Sequence, residues 1–487
     1  MNSYRLVEVL NQIEKEIPVN KWKYNNIDVW PIIRNKIGLE NSFEKLITDN
    51  KLSNFNKMYN KLKKYIQLNL YNLKHIRNRS LSEADVFLLF SSVDRTLFQD
   101  KWIIKQAYPI LRELDDLSIK TYYLENVNDG SFKLPKEEQS KYIDLNIKRK
   151  IVEKFKKVTT NDFFLPNYKD FLLIIAKYNI DIYNYKIDII KVYIINQLIL
   201  KDYYKKLLKR SNIKCAIIIG YYGFAYDLIS ACAELSIPAI DLQHGVAGEI
   251  HYAYGRWSNV PLCGYNTLPD KYYTWSKIDE EAINSWAFKT DKHKAIAIGN
   301  PWCEFWKEKN SVVDNELNEI RRFYEKKGKP FVLFTHQPPY GFPEWFLQYI
   351  KKRDDVYWGI RLHPCDKDDR QIIEDFILHN KTKHINFLET SIFPLPALLS
   401  SITVHVTGWS ATVFEAVEFS KKSIVIHKKG EEIFSEYMKK ELCYFAENEI
   451  ALDRYLDEIF RNNEIFAINS TEDSISIAVN DIQSLMR

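Results

Sequence analysis

Residues 404–426, VHVTGWSATVFEAVEFSKKSIVI, read as a strand, a turn of small and hydroxyl residues, a helix and a second strand. This order is the unit from which open α/β sheets are built. Gly408, Ser410 and Thr412 bring backbone N–H groups and hydroxyls to a helix N-terminus, where the dipole and the unpaired donors favour an anion. One turn on, Glu415 has the reach to accept hydrogen bonds from a ribose diol. The same residues also suit a plain capped helix packed on a sheet, with Ser410 or Thr412 as the cap.

The rest of the chain repeats the alternation. Residues 85–90 (DVFLLF) form a short apolar run followed by Ser91, Ser92, Asp94 and Arg95, as expected of a buried parallel strand and its loop. Residues 120–124 form the next strand. A clearer unit follows, with a strand at 215–219, a loop at 220–224, a helix at 227–235 and a strand at 237–242 that runs into Gln243-His244-Gly245. Further strands are expected at 271–275 and 295–298. A charged helical stretch and Gly328-Lys329-Pro330 mark a boundary. The pattern then restarts with 331–335 and the His336 loop, 356–362 ending in His363-Pro364, and 385–388. The expected fold class is α/β, with two Rossmann-like domains facing one another across a cleft behind an N-terminal helical extension. The boundaries are an N-terminal helical segment at 1–82, a first domain at 83–309 with a helical insertion near 160–210, a second domain at 310–465, and a tail at 466–487.

Composition narrows the partners. Hydrophobic residues make up 46% and charged residues 27%, as in ordinary soluble domains, and a net charge of +5 over 487 residues gives no whole-protein grip on nucleic acid. The six cysteines form no C-x-x-C pair or metal-finger spacing, and there is no D-x-D cluster, so neither a metal nor another cofactor is expected. The charged N-terminus and the lack of a long apolar run point to a cytoplasmic protein that does not span a membrane. Residues 50–82 contain no acid but eight Lys and Arg, with Leu62, Ile66, Leu70, Leu73 and Ile76 at roughly helical spacing. That pattern suits peripheral contact with an anionic membrane, at its inner face, and equally a solvated helix docked on the protein.

Four candidate sites fall at carboxyl ends of expected strands, which is where open α/β sheets bind ligands: His244, the His336 loop, Arg361 with His363, and the Ser410 turn. Arg361 and His363 are two apart, so on an extended strand they point the same way and can both donate to a phosphate. Pro364 ends that strand. A phosphate also held by the Ser410 turn becomes a leaving group stabilised without metal.

In order and spacing, His244-Gly245, Arg361-x-His363-Pro364 and the segment from Thr407 to Glu415 resemble GT-B glycosyltransferases of bacterial surface polysaccharides. The capsule-type polysialyl- and Kdo-transferases and the teichoic acid glycerophosphotransferases are similar in pattern. The resemblance spans residues 84–450. It implies that His363 of the His363-Pro364 element, with Ser410 and Thr412 of the Gly408 turn, binds the donor nucleotide phosphate, where the residue pattern also places Arg361; that Glu415 binds ribose or supports the turn; and, by likeness to the teichoic acid enzymes, that His244 is the catalytic base. Gly408-Trp409 stands where the teichoic acid enzymes have an acidic-aromatic pair, and Ala411 where they have a second serine. Both departures favour a sugar over a glycerophosphate.

The resulting expectation is a metal-independent, inverting transferase for capsule, lipopolysaccharide or related cell-envelope glycans. It would use a CMP- or UDP-linked nucleotide-sugar donor and a lipid-linked or oligosaccharide acceptor. Asp94, Glu249, Asp270 and His336 are alternative bases or acceptor contacts. A nucleotide-sugar 2-epimerase, a glycerophosphotransferase and a non-catalytic nucleotide or glycan binder are the competing readings. Donor-alone product analysis separates the epimerase from the transferase.

Overall fold

A computed structural model describes residues 1–42, 70–72, 81–127, 133–155, 162–308, 311–325, 327–337, 342–363, 368–462 and 473–486. Most of the acid-free basic stretch, and with it the membrane-surface expectation, lies outside the described residues, as does Pro364. The chain divides into two units, Met1–Trp302 with Asp473–Arg487, and Cys303–Glu472. Among the described residues, no helix is long and apolar enough to cross a membrane.

The first unit is built on a seven-stranded parallel sheet. Its order is Lys294–Ala297, Lys271–Thr274, Ala239–Leu242, Cys215–Ile219, Val86–Ser91, Thr121–Asn126 and Lys141–Ile143. Val86–Ser91 and Cys215–Ile219 lie at its centre and are apolar on both faces, because successive side chains alternate between two separate cores. Phe87, Leu89, Ala216 and Ile218 point into one core, shared with Leu6, Leu10, Trp30 and Ile33 of the helices Ser3–Glu16 and Trp30–Asn41. Helices Tyr168–Lys177, Ile187–Leu198 and Lys201–Leu208 add Phe171, Ile194 and Tyr204 to the same core. Val86, Leu88, Cys215 and Ile217 face the other core, closed by Leu114 of Tyr108–Asp116 and by Ala478 and Ile482 of Ser474–Met486. The Asp481 carboxylate of that last helix accepts from Lys271 (2.6 Å) and Tyr273 (2.7 Å).

Several elements depart from the sequence reading. Within the helical N-terminal region, Lys23–Tyr24 and Ile27–Asp28 pair as a hairpin and Phe163–Phe164 joins them. Its turn residues Asn25 and Asn26 have φ of 47° and 64°, the primed-turn conformation that asparagine tolerates. Arg95–Phe98 and Lys101–Ile104 form another hairpin through Gln99 and Asp100, at φ of 48° and 61°. Neither carries the glycine that normally announces such a turn. Residues 385–388 shorten to the strand Ile385–Asn386, after which Leu388–Ile392 is helical.

The second unit is a six-stranded parallel sheet. Its order is Ile385–Asn386, Tyr357–Arg361, Phe331–Thr335, Val404–Thr407, Ser423–Val425 and Cys443–Phe445. Val332, Phe334, Trp358, Ile360, Val404 and Val406 supply its core, with Phe346 and Ile350 of Glu344–Lys352 and Leu452 and Leu456 of Glu449–Asn462. His405 is fully buried and ties three strands together, bonding Thr335 Oγ1 at 2.8 Å and Ser423 Oγ at 2.9 Å. Burial pushes this imidazole down to about 3, so it serves as a neutral structural link.

Candidate functional site

Each sheet has one place where the strand order reverses, and there the loops leave in opposite directions and open a crevice at the carboxyl ends. In the first unit this point lies between Val86–Ser91 and Cys215–Ile219. In the second it lies between Phe331–Thr335 and Val404–Thr407. The residues that follow these four strands are Ser92 with Asp94, Gly220 to Tyr222, His336, and Gly408.

His244 stands against the first of these points. The Ala239–Leu242 strand ends into Gln243, which is buried and bonded three ways. Its side chain accepts from the Trp275 N–H (2.6 Å) and donates to the Gly245 carbonyl (2.9 Å) and to Asp279 (3.2 Å). The loop therefore leaves the sheet in a fixed direction, and the partly exposed His244 ring lies directly on Gly220. Gly220 has φ of +68°, and a Cβ there would meet His244 Cε1 at 2.6 Å, so both backbone conformation and space require glycine. His244 Nδ1 is buried with no hydrogen-bond partner among the described residues. Burial, and then the nearby Lys105 ammonium, pushes the imidazole down to about 4, leaving it neutral at pH 7.

Tyr222 and His251 complete this edge, and the sequence reading singled out neither. The Tyr222 ring lies 5.8 Å from His244 and 5.2 Å from His251, and His251 stacks on Tyr252 at 4.5 Å. His251 Nδ1 accepts the Ala253 N–H at 3.2 Å, and burial holds this imidazole down at about 3. The aromatic runs at 221–224 and 251–254 flanking His244 were the available signal, but their convergence is a property of the fold.

The alternative bases separate. Asp94 accepts the Ser91 N–H at 2.8 Å as half of a capping box, and burial raises it to about 7, with Lys105 and Lys133 partly offsetting this. Glu249 is exposed and paired with Arg256 at 2.8 Å. Asp270 precedes its strand, so it lies at the amino edge, opposite to His244, where it accepts the Ala239 N–H (2.9 Å) and pairs with Lys292 (2.9 Å). Only Asp94 shares an edge and a cationic neighbour, Lys105, with His244.

In the second unit, Thr335, Arg361 and Thr407 lie in register at the carboxyl edge. Arg361 Nη1 donates to the carbonyls of Thr390 (2.7 Å) and Phe393 (2.6 Å), so one arm of its fork secures a loop and does not point to a ligand. Burial lowers this guanidinium to about 10 while the neighbouring Glu415 carboxylate opposes the shift. Glu415 itself is buried in the seven-residue helix Thr412–Glu418. The Ser410 and Thr412 hydroxyls bond each other at 2.9 Å, and Ser410 Oγ accepts the Thr412 N–H at 3.3 Å; the N-cap position itself is Ala411, without a side-chain cap, so neither hydroxyl residue is the cap. His363 is partly exposed two residues past its strand. His336 is buried, stacked on Phe342 at 4.5 Å, and its backbone N–H donates to the Arg361 carbonyl. Trp409 packs on His427 at 4.7 Å with Lys429 Nζ 5.2 Å from its ring.

Gly430 holds the Gly408 turn in place: a Cβ at 430 would run into the Gly408 carbonyl oxygen. Backbone cannot give way as a side-chain tip does, so Gly430→Ala should cost about 1–3 kcal/mol and displace residues 408–410. Thermal melting reads the loss. An unchanged melting temperature would show that the turn is not held there.

No protein-family model matches the chain, and no curated protein sequence matches it. Solved structures do. A UDP-GlcNAc 2-epimerase from Neisseria meningitidis, solved bound to UDP-GlcNAc, superposes with a TM-score of 0.50 at 12% identity, covering 82% of this chain and 100% of that one. The UDP-GlcNAc 2-epimerase from Methanocaldococcus jannaschii gives a TM-score of 0.51 at 12% identity, over 81% of this chain and 98% of that one. The likeness establishes the fold: an α/β chain of GT-B type with two Rossmann-like parallel-sheet units.

Proposed function

We propose that this protein is a nucleotide-sugar-dependent glycosyltransferase of cell-surface glycan assembly. The observation that carries the reading is His244 itself, a partly exposed neutral histidine at the carboxyl edge of a parallel sheet, its ring seated on a left-handed glycine beside the strand-order reversal. A neutral imidazole is a proton acceptor, and burial keeps this one unprotonated at pH 7 in the free protein, at a cost in basicity. In the proposed reaction an acceptor hydroxyl gives its proton to His244 as its oxygen bonds to the anomeric carbon. The bond from that carbon to the phosphate oxygen breaks on the opposite side, and the nucleotide leaves with the electron pair. Inversion follows. His363, with Ser410 and Thr412 once their mutual hydrogen bond is given up, would contact the leaving phosphate, and Glu415 would support that turn or meet the ribose. The reading involves no metal, and it assigns Arg361 to shaping the 390–393 loop beside the phosphate.

The solved neighbours favour a second reading, since both are UDP-GlcNAc 2-epimerases. An epimerase inverts a carbon next to the anomeric centre and needs no acceptor. Incubation with CMP-, UDP-, GDP- and CDP-linked sugars, first alone and then with oligosaccharide or lipid-linked acceptors, separates the two. Acceptor-dependent release of nucleotide supports transfer. A new sugar from donor alone establishes epimerisation, and binding without any product would leave only a nucleotide or glycan binder.

A further inference from the structure

We infer that Arg34 and Gly38, on the N-terminal helix Trp30–Asn41, form a seat that positions His251 and, through Tyr222, His244. The seat lies in the part of the chain that the family resemblance does not cover. Arg34 is wholly buried. Its Nε donates to the Tyr252 carbonyl at 3.0 Å and its Nη2 to the Gly255 carbonyl at 2.7 Å, while Nη1 pairs with the buried Glu14. The guanidinium also stacks over Trp257 at 4.2 Å.

Glu14 also holds the chain just past this loop, accepting from the Ser258 N–H (2.6 Å) and hydroxyl (2.9 Å). Gly38 is the second half of the seat, because any Cβ there would collide with the Tyr252 ring. The carbonyls between the two that Arg34 holds are also bonded. Ala253 accepts from Tyr221 (2.7 Å) and Trp257 (3.2 Å), and Tyr254 accepts from Trp286 (2.7 Å).

The loop at 252–255 is therefore fixed by side chains from outside it, and His251 is stacked on that loop's first ring. A planar fork that reaches two carbonyls and a carboxylate at once cannot be replaced by an ammonium of the same charge. Arg34→Lys should preserve the pairing with Glu14 and lose the geometry.

The catalytic arm of this inference rests on the proposed role of His244, whereas the structural arm does not. The test records the imidazole Cε1–H resonances of the full chain by NMR, assigned by single histidine substitutions, in Arg34→Lys, in Gly38→Ala, and in a control, Leu114→Ala. Leu114 is buried in the core on the opposite face of the sheet. In both seat variants the His251 and His244 signals should move while the His405 signal stays, and in the control neither should move. With an active donor and acceptor, turnover in the seat variants should fall on the order of 10²-fold at unchanged donor KM, the scale of a displacement of about 1 Å.

Unmoved signals in both seat variants, or equal movement in Leu114→Ala, would overturn the seat. If Arg34→Lys fails to fold, Gly38→Ala decides. Should the wild-type chain turn over no nucleotide sugar, the functional reading fails alone and the resonances still settle the positioning.

Discussion

If His244 is the proposed base, His244→Ala should lower acceptor-dependent turnover by about 10²–10⁴-fold, the usual contribution of a positioned proton acceptor, and should leave nucleotide affinity nearly unchanged. No hydrogen bond of Nδ1 among the described residues is lost, so the stability change should be confined to the ring's packing on Gly220 and Tyr222. His363→Ala and Ser410→Ala should do the reverse, weakening nucleotide binding measured by titration calorimetry with less effect on the rate at saturating donor. The pH profile separates His244 from Asp94. A base must be unprotonated to act, and the His244 imidazole is held near 4, so it imposes no limb between pH 5 and 8. Asp94 is raised to about 7 by burial, so as the base it would make kcat/KM climb through neutrality. A profile rising through pH 7 that flattens in Asp94→Asn would transfer the role from His244.

The second large effect is on stability. Arg95→Ala should destabilise the first unit by about 3–5 kcal/mol, because removing one partner of a buried ionic set strands the others. The Arg95 guanidinium is fully buried, donating to Glu125 at 3.0 Å and to Glu138 and the Trp102 carbonyl at 2.9 Å each. Lys136 is the second cation, 3.6 Å from Glu125 and 3.7 Å from the Tyr142 ring centre. Two basic side chains thus face two carboxylates, and Arg95 carries the larger share of the positive charge. Burial has already lowered Lys136 to about 7 and raised Glu138, so without Arg95 the remaining lysine cannot carry two carboxylates. Denaturant unfolding followed by tryptophan fluorescence measures the loss. A change below about 1 kcal/mol would mean that water reaches the set and screens it, as at a surface pair.

The strands at 215–219 and 331–335 were readable to the residue, because a buried parallel strand is a continuous apolar run bounded by glycine or polar loops. His244 and the Ser410 turn were readable for the same local reason: each directly follows such a run. The primed hairpins at Asn25-Asn26 and Gln99-Asp100 were not, since their left-handed residues lack the usual glycine. Arg361 was legible as a strand-end cation, but its hydrogen bonds to the Thr390 and Phe393 carbonyls were not, because a backbone carbonyl thirty residues away has no signature in the sequence.

By itself, the sequence determined the α/β class, the alternation that builds two parallel sheets, and the carboxyl-edge address of His244, His336, Arg361 and the Gly408 turn. Those are consequences of period and punctuation within a few residues. The tertiary structure decided that Ser3–Glu16 and Trp30–Asn41 share the first sheet's core, and that Ser474–Met486 closes its other face. It also decided that Asp270 lies at the wrong edge and that His251 joins His244 through Tyr222. Each of these depends on contacts between residues distant in the chain, where complementary shape and hydrogen-bonding direction, rather than local pattern, select the partner.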